Sequence, residues 1–177
     1  MSNGEQGLEQ RPAAGPAPRL RRATAADAAL LAELRYELRT GIAPEVTPEP
    51  GFHRRCTEWM AARLSGPDAW RCWLAEDHHG EPLGVVWLQF VEKLPNPVGE
   101  PGVHAYLTGF YVREAARNRG VGTALLDAAL GACEERGIDT VFLWPTARSR
   151  ALYVRHGFAE QSGILTRRIW PGAIGSP

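Results

Sequence analysis

The stretch Arg117-Asn118-Arg119-Gly120-Val121-Gly122 carries the clearest chemistry in the chain. An apolar, strand-like run ending Phe110-Tyr111-Val112 leads into it. A helix-like run follows, in which Val121, Ala124, Leu125, Ala128 and Ala132 fall on one face. A helix start presents backbone N–H donors without intrahelical partners and about half a positive charge, so anions collect there. Glycines let a phosphate approach the backbone with no Cβ in the way, and Arg117 and Arg119 add charge at the mouth. The alternative is a plain turn with solvated arginines. The position between strand and helix favours a turn that grips a pyrophosphate.

The type of phosphate ligand is narrowed by what is missing. No G-x-x-x-x-G-K-[ST] loop is present, and Leu125 stands where a dinucleotide fingerprint needs its third glycine. Asp139 lies at about the distance expected of a ribose-binding acid, but it begins a strand instead of ending one. A Rossmann-like nucleotide-binding domain is therefore the poorer fit.

The elements that must hold this turn can be read on either side. Met1 to Pro18 is rich in Gly, Pro, Ala and polar residues and reads as a flexible tail (1–18), with the folded domain over 19–177. Arg19 to Ala23 reads as a short strand, and Thr24-x-x-Asp27 as a capping box. Leu30, Leu31, Leu34 and Leu38 then share a helical face that Gly41 ends. A proline-rich loop leads to a second helix over Phe52 to Leu64. Strands follow at Arg71 to Asp77 and Leu83 to Val91, joined by a turn at His78 to Glu81. After a Pro/Gly loop come a strand over His104 to Val112, a helix over Gly120 to Arg136 and a buried strand over Thr140 to Trp144, broken by Pro145. A short helix over Ser149 to His156 and a strand over Ile164 to Ile169 close the chain. The order gives one α/β (α+β) domain, a mixed sheet with helices on it.

Composition limits what the domain can do. Lys+Arg and Asp+Glu both number 20 in 177 residues, so no overall basic field exists to hold nucleic acid or an anionic membrane. The three cysteines, Cys56, Cys72 and Cys133, form no C-x-x-C pair, which indicates neither a disulfide framework nor a metal site. No apolar run approaches the roughly 18 residues that would span a membrane. With no signal-peptide pattern at the N-terminus, the expectation is a cytoplasmic protein.

Two motifs together resemble one family. Arg117 to Gly122 looks like the Q/R-x-x-G-x-G/A motif of the GCN5-related N-acetyltransferases (GNAT), and Leu152-Tyr153-x-x-x-Gly157-Phe158 is similar to their L-Y-x-x-x-G-F signature. The resemblance implies a mostly antiparallel sheet whose fourth and fifth strands splay apart to admit acetyl-coenzyme A. It implies that the backbone of Phe110, Tyr111 and Val112 pairs with the pantetheine arm. The amides of Arg117, Asn118, Arg119, Gly120, Val121, Gly122 and Thr123 would take the pyrophosphate, and Tyr153 would protonate the leaving thiolate. An asparagine that often precedes this tyrosine by seven residues is replaced by Thr146, with Ser149 as a further polar contact or a helix cap. A homodimer is the assembly the resemblance implies.

The reaction also asks for a base, because an amine is protonated at neutral pH. The position where some members of the family carry a strand-four glutamate is Tyr106 here. His104, two residues earlier on the same face, and Glu92, closing the preceding strand, are the candidates. The acceptor is expected to be a primary amine of a small molecule or peptide, bound near Gly41 to His53, where Glu45 and Glu49 could meet it. A sensor that binds acyl-CoA without turnover is the other reading of the same motifs.

Overall fold

The computed structural model describes residues 16–45, 47–97 and 99–160. Among these residues five strands form one sheet in chain order: β1 (Arg19–Arg22), β2 (Trp70–Glu76), β3 (Pro82–Glu92), β4 (Val103–Val112) and β5 (Val141–Phe142). The first four are antiparallel to their neighbours, and β5 runs parallel to β4. Helices α1 (Ala28–Ile42) and α2 (Phe52–Ser65) cover one face, and α3 (Val121–Glu135) covers the other. The short α4 (Arg150–Arg155) follows β5.

Coverage of both faces explains the strand sequences. Inward positions on both sides must be apolar, so Cys72 to Ala75 and Val85 to Leu88 are continuous buried runs without alternation. Trp73, Ala75, Val86, Leu88, Ala105 and Leu107 face α3. Cys72, Leu74, Val85 and Trp87 face α1 and α2. Each large side chain so buried contributes about 1.5–3 kcal/mol.

The capping box at Thr24–Asp27 forms, with Asp27 accepting from the Thr24 N–H at 2.7 Å. The Arg21 guanidinium bonds both Asp27 oxygens at 2.7 and 2.9 Å and also reaches Glu76. These bonds hold the Asp27 carboxyl down at about 2, the Arg21 hydrogen bond being the main cause.

Several expectations are corrected. Helix α1 passes through Gly41 to Ile42. The buried face of α3 is Val121, Leu125, Leu126, Ala129, Ala132 and Cys133, with Ala124 and Ala128 half-buried, because the helix rests against β2, β3 and β4 together. The strand expected over Thr140 to Trp144 shrinks to Val141 and Phe142, both half-buried, and Trp144 is 42% exposed. Its pairing with β4 covers only Ala105↔Val141 and Tyr106↔Phe142. Beyond that point no pairing of β5 with β4 continues among the described residues. A nucleotide-binding doubly wound sheet is excluded, since that fold needs parallel strands throughout its switch point. The expected strand over 164–169, Trp170 and most of the tail lie outside the described residues.

The parting of β4 from β5 coincides with a β-bulge. Trp87 opposes Thr108, yet Val85 opposes Tyr111, so Gly109 and Phe110 together face Val86. Hydrogen bonding agrees. Gly102 accepts from Lys93 on the β3 side and Ala105 donates to Thr140 on the β5 side, while Arg113 donates to Leu83 on the β3 side. Ala105 and Arg113 would point the same way in a regular strand; the extra residue reverses them. Side chains change faces at the same place. Tyr106 and Thr108 face α1 and α2, whereas beyond the bulge Phe110 and Val112 face α3 and Tyr111 takes the α1 side. Gly109 makes this possible. Its φ is +58°, and a Cβ there would lie 2.9 Å from Trp87 Cδ1.

Candidate active site

Among the described residues, the gap between β4 and β5 leaves the outer backbone edge of β4 unpaired past Tyr106. By the parity just described, Phe110 and Val112 turn their peptide groups into the gap. Tyr111, expected to do the same, turns its own toward Val85 of β3. At the far end of this edge sits the turn. Asn118 and Gly120 both adopt left-handed conformations, with φ of +59° and +79°, the alternation that gathers successive N–H groups into a concave anion site. The first ladder bond of α3 runs from the Ala124 N–H to the Gly120 carbonyl, so the N–H groups of Val121, Gly122 and Thr123 are free of the helix. A Cβ on Gly120 would meet nothing within 4 Å, so the turn is open on that side.

The two arginines of the turn differ. Arg119 is exposed. Arg117 is committed to the protein, donating from Nε to the Val112 carbonyl at 3.2 Å and lying 3.4 Å from Glu114. Its side chain clamps the turn to the end of β4 instead of standing free at the mouth.

Tyr153 lies on the gap's other wall. Its ring packs edge-on against Phe110, with centroids 5.9 Å apart, and against Phe158 at 5.6 Å. The second contact explains its motif. Phe158 N–H donates to the Tyr153 carbonyl and Gly157 N–H to Val154, the Schellman end of a helix, which brings the residue after the glycine onto the tyrosine. Burial pushes the Tyr153 hydroxyl up to about 12, opposed in part by a hydrogen bond with Ser149. It stays protonated well beyond neutral pH, as a proton donor must. Thr146 and Ser149 bond reciprocally: the Ser149 Oγ accepts from the Thr146 N–H at 3.0 Å and the Thr146 Oγ1 from the Ser149 N–H at 3.3 Å. They form the entry to α4, and Ser149 thereby supports Tyr153.

A cavity of about 300 Å³ opens on the opposite face of β4, between α1, α2 and the sheet. Phe52, Trp59, Trp70, Trp87 and Tyr106 form aromatic walls, with Trp59, Trp70 and Trp87 in mutual contact at 5.1–6.1 Å. Thr108 and Gly109 bring the cavity to the bulge, and Arg35 and Cys56 are its other polar groups. Sequence reading missed Arg35. The available signal was a charged residue four positions after Leu31, interrupting the apolar face of α1.

The expected bases, Glu92 and His104, do not line this cavity. Glu92 is exposed at the end of β3, paired with Val103. His104 faces Asp139, its Nδ1 3.5 Å from Oδ1, beside Lys93. Neither lines the cavity, and both sit at the opposite end of β4 from the turn, roughly 25 Å away at 3.3 Å per residue. Glu49 is bound to Arg55 at 2.5 Å, and neither it nor Glu45 reaches the cavity. The three cysteines are free thiols, and no metal-holding cluster exists among the described residues. Among those residues no helix is long and apolar enough to cross a membrane.

A strand edge left open for an extended ligand, with a helix start for its phosphates, suits a protein that handles a long phosphorylated carrier. The comparisons narrow that class. Residues 33–158 match the model of the Acetyltransferase (GNAT) family, and the chain belongs to that family. It resembles a mycothiol acetyltransferase of Beutenbergia cavernae at 36% identity over 90 residues, which is 49% of this chain and 27% of that protein. The chain thus spans about a quarter of the length of this curated relative. Among solved structures, a predicted acetyltransferase of Clostridium acetobutylicum with acetyl-CoA superposes with a TM-score of 0.72 at 22% identity, covering 86% of this chain and 96% of that one. A GCN5-related N-acetyltransferase of Ralstonia eutropha gives 0.70 at 23%, covering 85% and 98%. These likenesses establish the fold.

Proposed function

We propose that the protein is an N-acetyltransferase that moves an acetyl group from acetyl-CoA directly to a primary amine. The observation that carries this is the continuous path along β4: an unpaired backbone edge that runs from the bulge to the free N–H groups of the α3 turn, with Tyr153 on its wall. The residues fit the cofactor. Phe110 and Val112 offer peptide groups to its arm, and the N–H groups around Gly120 to Thr123 offer donors to its pyrophosphate, with Arg119 beside them. When bound, acetyl-CoA supplies a thioester whose carbonyl carbon bonds to the amine nitrogen as the C–S bond breaks and the sulfur leaves as thiolate.

Tyr153 holds a proton against that sulfur, its raised pKa keeping it protonated at neutral pH; it passes this proton to the departing sulfur and regains one from the nitrogen, which sheds a proton as the amide forms. The Schellman turn and Phe110 fix the ring. The cavity across the bulge receives the acceptor amine. Among the described residues no carboxylate or imidazole lines it, so the ammonium proton leaves to water before attack. In this reading His104 and Glu92 are not the base. The protein acts in the cytoplasm as a homodimer, which sedimentation analysis checks.

The deciding experiment couples acetyl-CoA calorimetry to a thiol-release assay over a panel of amines. Acetyl-CoA binding with amine-dependent thiol release supports the reading. Binding with no release from any amine would leave an acyl-CoA sensor in its place.

A further inference from the structure

Arg35 differs from most of its kind in this chain. Arg19, Arg21, Arg55, Arg71 and Arg113 each hold a carboxylate within 2.7 Å. Arg35 has no ion-pair, hydrogen-bond or ring partner among the described residues. It is half-buried and lines an aromatic cavity. Holding a guanidinium half-buried among aromatic rings without a protein partner costs free energy, and burial lowers its pKa, with the charge of nearby Arg39 adding to the effect. A fold with such a cation in a ligand-sized space fits an anion arriving with the ligand. The guanidinium fork matches a carboxylate through two parallel hydrogen bonds. The surrounding Trp59, Trp70 and Trp87 faces match a flat apolar body.

Building on the acetyl-transfer reading above, we propose that the acceptor is an aromatic amine acid: an amine on an aromatic body with a carboxylate that Arg35 binds. The ring lies among the tryptophans, the carboxylate meets Arg35 on α1, and the amine reaches Thr108–Gly109 at the bulge. The cavity's volume is at the lower end for small-ligand sites, which suits a single amino-acid-sized compound.

The test uses two matched series on the full-length protein: phenylalanine, its amide and phenethylamine; and para-(aminomethyl)benzoate, its carboxamide and benzylamine. Thiol release gives kcat/KM, and quenching of tryptophan fluorescence gives binding whether or not turnover occurs. In the wild type, at least one carboxylate should exceed its amide by about ten- to hundredfold, the range for a charge-assisted hydrogen-bonded pair. Arg35→Met should reduce that preference to within about threefold while leaving acetyl-CoA affinity unchanged, and Arg35→Lys should restore part of it. The thermal midpoint of Arg35→Met should not fall, because a half-buried charge without a protein partner has been removed. A wild type that binds both series without acid preference would overturn the proposal, as would a preference that survives Arg35→Met. Binding preference without turnover would preserve the carboxylate site and count against acetyl transfer alone.

Discussion

On the α3 side of β4 the site is made of backbone: free N–H groups at Val121, Gly122 and Thr123, and peptide groups at Phe110 and Val112. On the α1–α2 side it is made of side chains, three tryptophans, a tyrosine and an arginine drawn from α1, α2 and three strands. Backbone can serve any ligand with the right phosphates and a linear arm. Side chains discriminate by shape and charge. In the proposed reading the same strand therefore carries a donor side fixed by geometry and an acceptor side free to vary by substitution. Glu37 ties the two together, bonding Arg113 at 2.6 and 3.1 Å from α1 to the end of β4.

Mutations can separate the two sides, beginning with the largest effect. Tyr153→Phe should lower kcat by about 100-fold with acetyl-CoA affinity retained, the lower range for proton transfer by a positioned group. Wild-type kcat should show no fall as pH rises through 10, since this hydroxyl titrates at about 12. A fall at 10 would assign the proton to another group. Gly109→Ala should cost about 1–3 kcal/mol of stability in chemical denaturation, from the left-handed φ and the close Trp87 contact. An unaffected midpoint would show that the bulge is not under steric control. Gly122→Asp should weaken acetyl-CoA about tenfold by calorimetry, placing a negative charge at a helix start shared with phosphates. It should leave acceptor KM alone; a change there would mean that the two sides are not separable.

The smallest effect concerns the frame that carries α1. Asp27 titrates below its unfolded value, so its contribution is complete above about pH 4 and is lost as pH falls toward about 2. Asp27→Asn should flatten the thermal midpoint over that window, removing about 1 kcal/mol after solvent screening. An equal slope in the variant would place the acid sensitivity in other carboxylates.

How legible each side was follows from what it is made of. The turn could be read because its glycines and arginines are contiguous, and Tyr153 because Gly157 and Phe158 are the local stop that pins it. The bond from Arg117 to the Val112 carbonyl was not legible because it depends on where the strand ends in space. His104 was chosen for sharing a strand face with Tyr106 and Glu92 for closing the preceding strand, and register sets Glu92 opposite Val103, beside His104, at the far end of β4 from the turn. For the aromatic cavity, Trp59, Trp70 and Trp87 could be read as candidate walls, but not their meeting with Arg35 and Tyr106, which lie scattered through the chain and come together only on folding. Strand β5 was overestimated because an apolar run says nothing about whether a neighbour remains beside it.

The bulge at Gly109–Phe110 also makes β4 a strand with a phase. Before it, even-numbered side chains look toward α1 and α2; after it, odd-numbered ones do. Losing one residue between Leu107 and Val112 would restore a single phase and exchange the surroundings of everything on one side of the deletion. Either Tyr106 and Thr108 would leave the cavity, or Tyr111 and Arg113 would leave α1. Related genes should therefore vary in residue type along this segment far more readily than in length, and a gap here would mark a chain that has given up one of the two ligands proposed for this strand.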